Sequence, residues 1–163
     1  KLLESVTFVA MLTKEARKEL NTNFWEGLRK EMRNYKSSNG RGINWINYPS
    51  DVKDIYIRLV VAPKKTTLCF DIQPKDDDIR SILWEQMTEL KVVMESEVGE
   101  ALWNEESHEF NGRKVSRIHW ELNDLNFYDI KNHKEIKRFL RDKLIKFDTF
   151  YQEYKEILIT LAE

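Results

Sequence analysis

Between Ile55 and Gln73 apolar and polar residues alternate along two successive runs. Ile55, Ile57, Leu59 and Val61 alternate with Tyr56, Arg58 and Val60, and Leu68, Phe70 and Ile72 alternate with Thr67, Cys69, Asp71 and Gln73. A period of two is the signature of strands with unlike faces. Ala62-Pro63-Lys64-Lys65 lies between the runs, with Pro at an early turn position. The segment therefore predicts an antiparallel hairpin with one oily face, and that face must be covered by another layer. A second hairpin is predicted around Asn111-Gly112, the strongest short hairpin signal. Its return strand carries Ile118, Trp120 and Leu122 on one face and Arg117, His119 and Glu121 on the other.

The covering layer is predicted to be helical. Thr13 is a good N-cap, followed at helical spacing by Ala16, Leu20, Phe24, Leu28, Met32 and Tyr35. Ser37 to Gly42 ends that helix with turn formers. Ile43–Tyr48 reads as a short strand, and Pro49-Ser50-Asp51 as a turn. After Pro74, Asp76-Asp77-Asp78 suits the positive end of a second helix. Its stripe runs from Ile79 to Val98, and Gly99 sits just past its end. Asn132 with Glu135 resembles a capping box for a third helix. That helix is about 30 residues, about 45 Å, long enough that a break near Phe147–Asp148 is expected. Phe139, Leu140, Leu144 and Phe147 should be its buried residues. The order gives an α+β class: an antiparallel sheet built from two hairpins, with three helices packed mainly on one face, a two-layer sandwich.

The 163 residues suit one domain. Residues 12–163 are read as that domain and 1–11 as an N-terminal extension, non-native or upstream, with Met11 a possible start. At 41% hydrophobic and 12% aromatic, the chain is neither disordered nor collagen-like. No apolar run reaches the 18 or so residues of a membrane span. One cysteine, Cys69, excludes a disulfide framework and a Cys-rich zinc site, and a lone thiol fits a cytoplasmic location. The net charge is −1, so no global field drives binding to nucleic acid or membrane. The charge is segregated, however. Residues 74–100 hold 3 basic and 8 acidic residues, and 131–155 hold 8 basic and 4 acidic. Complementary solvated helix faces are the plain reading, and a basic surface for an acidic partner the sharper one.

Motifs that carry chemistry are few. There is no phosphate-binding glycine pattern, no nucleophile elbow around a serine, and no ligand spacing among His108, His119 and His133. No metal and no cofactor is expected. A restriction-endonuclease-like site would need an Asp and then an acid-x-Lys triplet on successive strands. Asp54 and Asp71-Ile72-Gln73 offer the acids without the lysine, and Glu89-Leu90-Lys91 lies in a helical pattern. Arg41, Trp45 and Tyr48 could form a patch for single-stranded nucleic acid.

Strand periodicity points to one candidate surface. Tyr56, Arg58, Asp71, Gln73, Arg117, His119 and Glu121 fall on the polar side of their strands, so in one sheet they share a face. An ordinary solvated face is the plain expectation. As a ligand or partner surface, Arg58 and Arg117 would bind an anion, and Asp71 or Glu121 would orient the His119 imidazole.

These residues carry a resemblance. The run from Glu15 to Leu28 with Phe24-Trp25-Glu26-Gly27-Leu28 resembles the opening helix of DUF4268, a family of unknown function. The likeness continues through Ile55-Tyr56-Ile57-Arg58-Leu59, Thr67-Leu68-Cys69-Phe70-Asp71-Ile72, Trp84-Glu85, Leu90-Lys91, Arg117-Ile118, Phe139-Leu140 and Phe147-Asp148-Thr149-Phe150-Tyr151. It spans roughly Leu12 to Leu161. It implies a small bacterial cytoplasmic protein, stand-alone or attached to other domains, some of them nuclease-like, and it supplies no catalytic residues. The expected function is a non-enzymatic interaction module that binds a protein partner or its own copies. The alternative is a nucleic-acid-associated protein or a divergent restriction-endonuclease-like nuclease.

Overall fold

The computed structural model describes residues 12–163, so the N-terminal extension lies outside the described residues. In chain order the elements are α1 (Lys14–Met32), β1 (Ile55–Ala62), β2 (Lys65–Ile72), α2 (Asp77–Glu89), α3 (Lys91–Val98), β3 (Leu102–Phe110), β4 (Arg113–Asn123) and α4 (His133–Ala162). The strands form one antiparallel sheet in the order β1-β2-β4-β3, the two hairpins joining through β2 and β4. The Asn111-Gly112 turn has both residues at positive φ, 52° and 77°, as its hairpin type requires.

The oily faces coincide. Ile57, Phe70 and Ile118 lie side by side across three strands, and Leu59, Leu68 and Trp120 form the next row. The helices cover this side. α4 lays Leu144, Phe147 and Tyr151 on it, with the Phe147 and Tyr151 rings stacked at 5.2 Å and both meeting Phe70 edge-on or tilted. Phe147 is completely buried, whereas Phe139 is only half-buried, about 100° around the helix from the contact line of Leu140 and Leu144. α1 adds Phe24, Leu28 and Met32, spaced four apart on one stripe, and starts where Thr13 Oγ1 accepts from the Ala16 N–H at 3.0 Å. The α+β two-layer class therefore stands.

Besides Phe139, four details differ from the sequence reading. Ile43–Tyr48 is not a strand. Trp45 and Tyr48 are both buried, and a three-residue spacing cannot place two side chains on one face of a strand. Side chains anchor the segment instead: the Trp45 indole donates to Tyr35 O at 3.0 Å and the Tyr48 hydroxyl to Asp148 at 2.6 Å. The second helix is two, bent at Leu90 (φ −90°, ψ 0°). Leu83, Met87, Met94 and Val98 stay in phase across the bend, so the stripe cannot reveal it. α4 is continuous through Phe147–Asp148, because both side chains are held on the core side without any change of direction. Asn132 makes no capping bond; it ends a single 3-10 turn, Ile130–Asn132, that leads into the helix, and its side-chain amide donates back to Asn126 O at 3.0 Å.

Candidate functional site

The sheet register places the seven polar-face residues together on the side opposite the helices. Tyr56, Asp71 and Arg117 form one row across β1, β2 and β4, extended by Asn104 of β3. Arg58, Cys69 and His119 form the next, extended by Leu102. Val60, Thr67 and Glu121 form the third. Gln73 follows Asp71 by two and shares its side.

Asp71 is the centre of this face and is fully buried. Its carboxylate receives a two-pronged Arg117 guanidinium, Nε at 2.6 Å and Nη2 at 2.8 Å. Arg58 Nη1 reaches it at 2.6 Å and also donates to Gln73 Oε1 at 2.8 Å. The anion that the two arginines hold is thus supplied by the chain itself. Planar paired geometry makes such bonds among the strongest of their kind. The bond to Asp71 raises the Arg117 pKa above its ordinary value. Arg58 also sits over the Tyr56 ring, 4.7 Å from its centroid.

His119 is oriented by Glu121 and not by Asp71, whose oxygens are already occupied. The Nε2–Oε1 distance is 2.8 Å, and the bond holds Glu121 below its usual carboxylate range. The other ring nitrogen, Nδ1, is buried without a partner among the described residues. Cys69 lies directly across from His119 but is 1% exposed, and burial pushes its thiol up to about 12. A thiol so rarely ionised is a packing group rather than a nucleophile.

The nuclease arrangement does not assemble. Asp54 accepts from Arg113 at 3.0 Å, Asp71 is saturated, and Glu89 and Lys91 flank the α2–α3 bend in the helical layer. The Lys91 ammonium lies 5.2 Å from the Trp103 ring centroid. Among the described residues no group of three or more His, Cys, Asp or Glu could hold a metal ion. Trp45 and Tyr48 are buried and cannot stack on bases, so the patch with Arg41 does not form. A shallow cavity of about 380 Å³ opens where β1 meets the Asn111 turn, lined by Asp54, Tyr56, Arg58, Gln73, Asn111 and Arg113. Of the basic side chains of 131–155, Arg141 pairs with Glu31 and Asp142 and Lys155 with Asp51; Lys143 reaches the acidic segment 74–100 only at a backbone oxygen, Val98 O, at 2.6 Å.

One carboxylate escaped the sequence reading. Asp148 is buried on α4 and meets no cation among the described residues. Ser37 Oγ (2.8 Å) and Tyr48 Oη (2.6 Å) donate to one oxygen and the Ser38 N–H (2.7 Å) to the other. Gln152 Nε2 donates in turn to the Tyr48 oxygen at 2.8 Å. The network ties the long connection between α1 and β1 to the middle of α4. Its signal was present: Asp148 interrupts the apolar stripe Leu144, Phe147, Tyr151.

Residues 20–155 match the model of a family described as "Domain of unknown function (DUF4268)". Neither the curated proteins nor the solved structures contain a match. Among the described residues no helix is long and apolar enough to cross a membrane.

Proposed function

Since the chain belongs to the DUF4268 family, whose function is unknown, we propose from its geometry that it is a non-enzymatic module that docks a protein through the side of its sheet that none of the described helices covers. One observation carries this reading. On that side Tyr56, Val60 and Leu102 are exposed around arginines already locked by a buried carboxylate. Exposed aromatic and aliphatic groups beside fixed polar groups are the composition of protein interfaces. A phosphate-binding surface would need arginines open to an outside anion, and here Asp71 occupies them. The bacterial, cytoplasmic setting belongs to the same proposal, as does the reading of residues 12–163 as one domain.

A photo-crosslinking residue at Tyr56 or Leu102, compared with one at Glu153 on the exposed side of α4, tests it. The expected result is one discrete protein adduct from the sheet positions that is absent from Glu153 and lost when Val60→Asp is added. Equal capture from all three positions would refute the reading. So would tight, strongly salt-dependent binding of DNA or RNA, or their cleavage with Mg²⁺ or Mn²⁺.

A further inference from the structure

The sheet has two edges, β1 and β3, and they are built differently. The register of β3 against β4 is interrupted between Asn104 and His108, and the interruption carries Glu105 and Glu106. A bulge and charges are the usual protection of a free edge. β1 has neither. Its pairing with β2 runs unbroken from Ile55↔Ile72 to Ala62↔Lys65, and its sequence, IYIRLVVA, contains no Pro, Lys or Gly. Its single charge, Arg58, is drawn inward by Asp71.

The direction of the backbone groups follows from the ladder. Gln73 N–H donates to Asp54 O at 2.9 Å, so positions 54, 56, 58, 60 and 62 face β2. Positions 55, 57, 59 and 61 face away. Ile55 is satisfied locally: its N–H donates to Val52 O at 3.2 Å, and its carbonyl accepts from Ser50 Oγ at 2.6 Å. Among the described residues Ile57, Leu59 and Val61 have no backbone partner on that side. Beside them lies a groove of about 310 Å³, lined by Trp25, Ile46, Asn47 and residues 57–60.

We propose that β1 pairs antiparallel with β1 of a second copy about a two-fold axis at Leu59, joining two four-stranded sheets into one of eight strands. The register is set by elimination. Centred on Leu59, Leu59 meets its own counterpart and Ile57 meets Val61, so all three free positions bond. Arg58 then lies opposite Val60, and no like charges face each other. Centring on Arg58 sets two arginines face to face. Centring on Ile57 requires Ile55, whose groups are already bonded. Centring on Val60 or Val61 runs Ile57 or Leu59 against Pro63, which has no N–H. A strand whose one charge is neutralised internally offers a foreign partner no electrostatic anchor and is complementary to itself. The two-fold axis stands perpendicular to the sheet, so both helical layers lie on one side and both open faces on the other. The pairing stands apart from the reading of the open face, and either can fail without the other.

The test is sedimentation equilibrium of the full chain from micromolar to near-millimolar concentration. A reversible dimer is expected. Val61→Pro removes an N–H aimed at the partner and none aimed at β2, and should weaken the dimer at least tenfold while the circular dichroism spectrum is unchanged. Leu59→Lys, which sets two ammonium groups at the axis, should do the same. Hydrogen exchange of the unaltered chain is independent of any variant: the Ile57, Leu59 and Val61 amides should become protected as concentration rises. A monomer at every concentration would overturn the proposal, and so would a dimer untouched by both substitutions or one that leaves these amides unprotected.

Discussion

Replacing Asp148 tests whether a buried carboxylate held by neutral donors is a strut of this fold. In Asp148→Ala the Ser37 hydroxyl, the Ser38 N–H and the Tyr48 hydroxyl all lose their acceptor. Each buried donor left unsatisfied costs about 1–3 kcal/mol, and the three share one acceptor, so the costs add incompletely. The expected loss is about 3–5 kcal/mol. Asp148→Asn keeps the shape and one acceptor. Turned so that its oxygen faces the Ser38 N–H, its amide donates to two hydroxyl oxygens that can rotate. The Ser37 and Tyr48 hydroxyl protons both lose the oxygen they donated to and must turn to other acceptors, while Tyr48 Oη already accepts from Gln152. The loss should therefore be smaller, about 1–2 kcal/mol. Urea unfolding at neutral pH measures both, with an unchanged dependence on denaturant as the sign that the end states are the same. In a chain of this size the alanine variant should melt about 10 °C lower. An alanine variant within about 0.5 kcal/mol of the parent would refute the reasoning, and so would equal losses for Ala and Asn.

Phe147→Ala should cost about 3–5 kcal/mol by denaturation, and Phe139→Ala less than half of that, since only Phe147 is fully buried. Asp71→Ala leaves Arg58 and Arg117 facing each other without their shared anion, and should lower the urea midpoint more than Glu121→Ala does. Gly99 holds φ 110°, and a Cβ there would meet Lys143 Nζ at 2.6 Å, so Gly99→Ala should destabilise by about 1–3 kcal/mol in the same assay. Burial lowers the His133 pKa, so below about 6.5 the unfolded chain takes up a proton that the folded chain refuses. Melting temperature should therefore fall with pH below that value, by less in His133→Gln; an identical pH dependence in the variant would exclude His133 as its source.

The polar sheet face was legible because a strand turns successive side chains to opposite sides, a property of the backbone alone. Periodicity therefore assigned Tyr56, Arg58, Asp71, Gln73, Arg117, His119 and Glu121 to one side as soon as the strands were identified. The Thr13 cap and the Asn111-Gly112 turn were equally local, each depending on a side chain or dihedral within three residues. Which partner each charge chose was not local. Asp71 lies 46 residues from Arg117, and only the β2–β4 pairing gives that carboxylate to the arginines and leaves His119 to Glu121. The 43–48 segment was misread because its buried residues are fixed by contacts made 10 and 100 residues away. The bend at Leu90 was invisible because it preserves the phase of the apolar stripe. The sequence by itself determined the elements, their faces and the hairpins, because these rest on dihedral preference and on the period of the apolar pattern. Only the tertiary structure decided the strand order, the ion pairs and the anchorage at Asp148, because each depends on which distant groups the packing brings together.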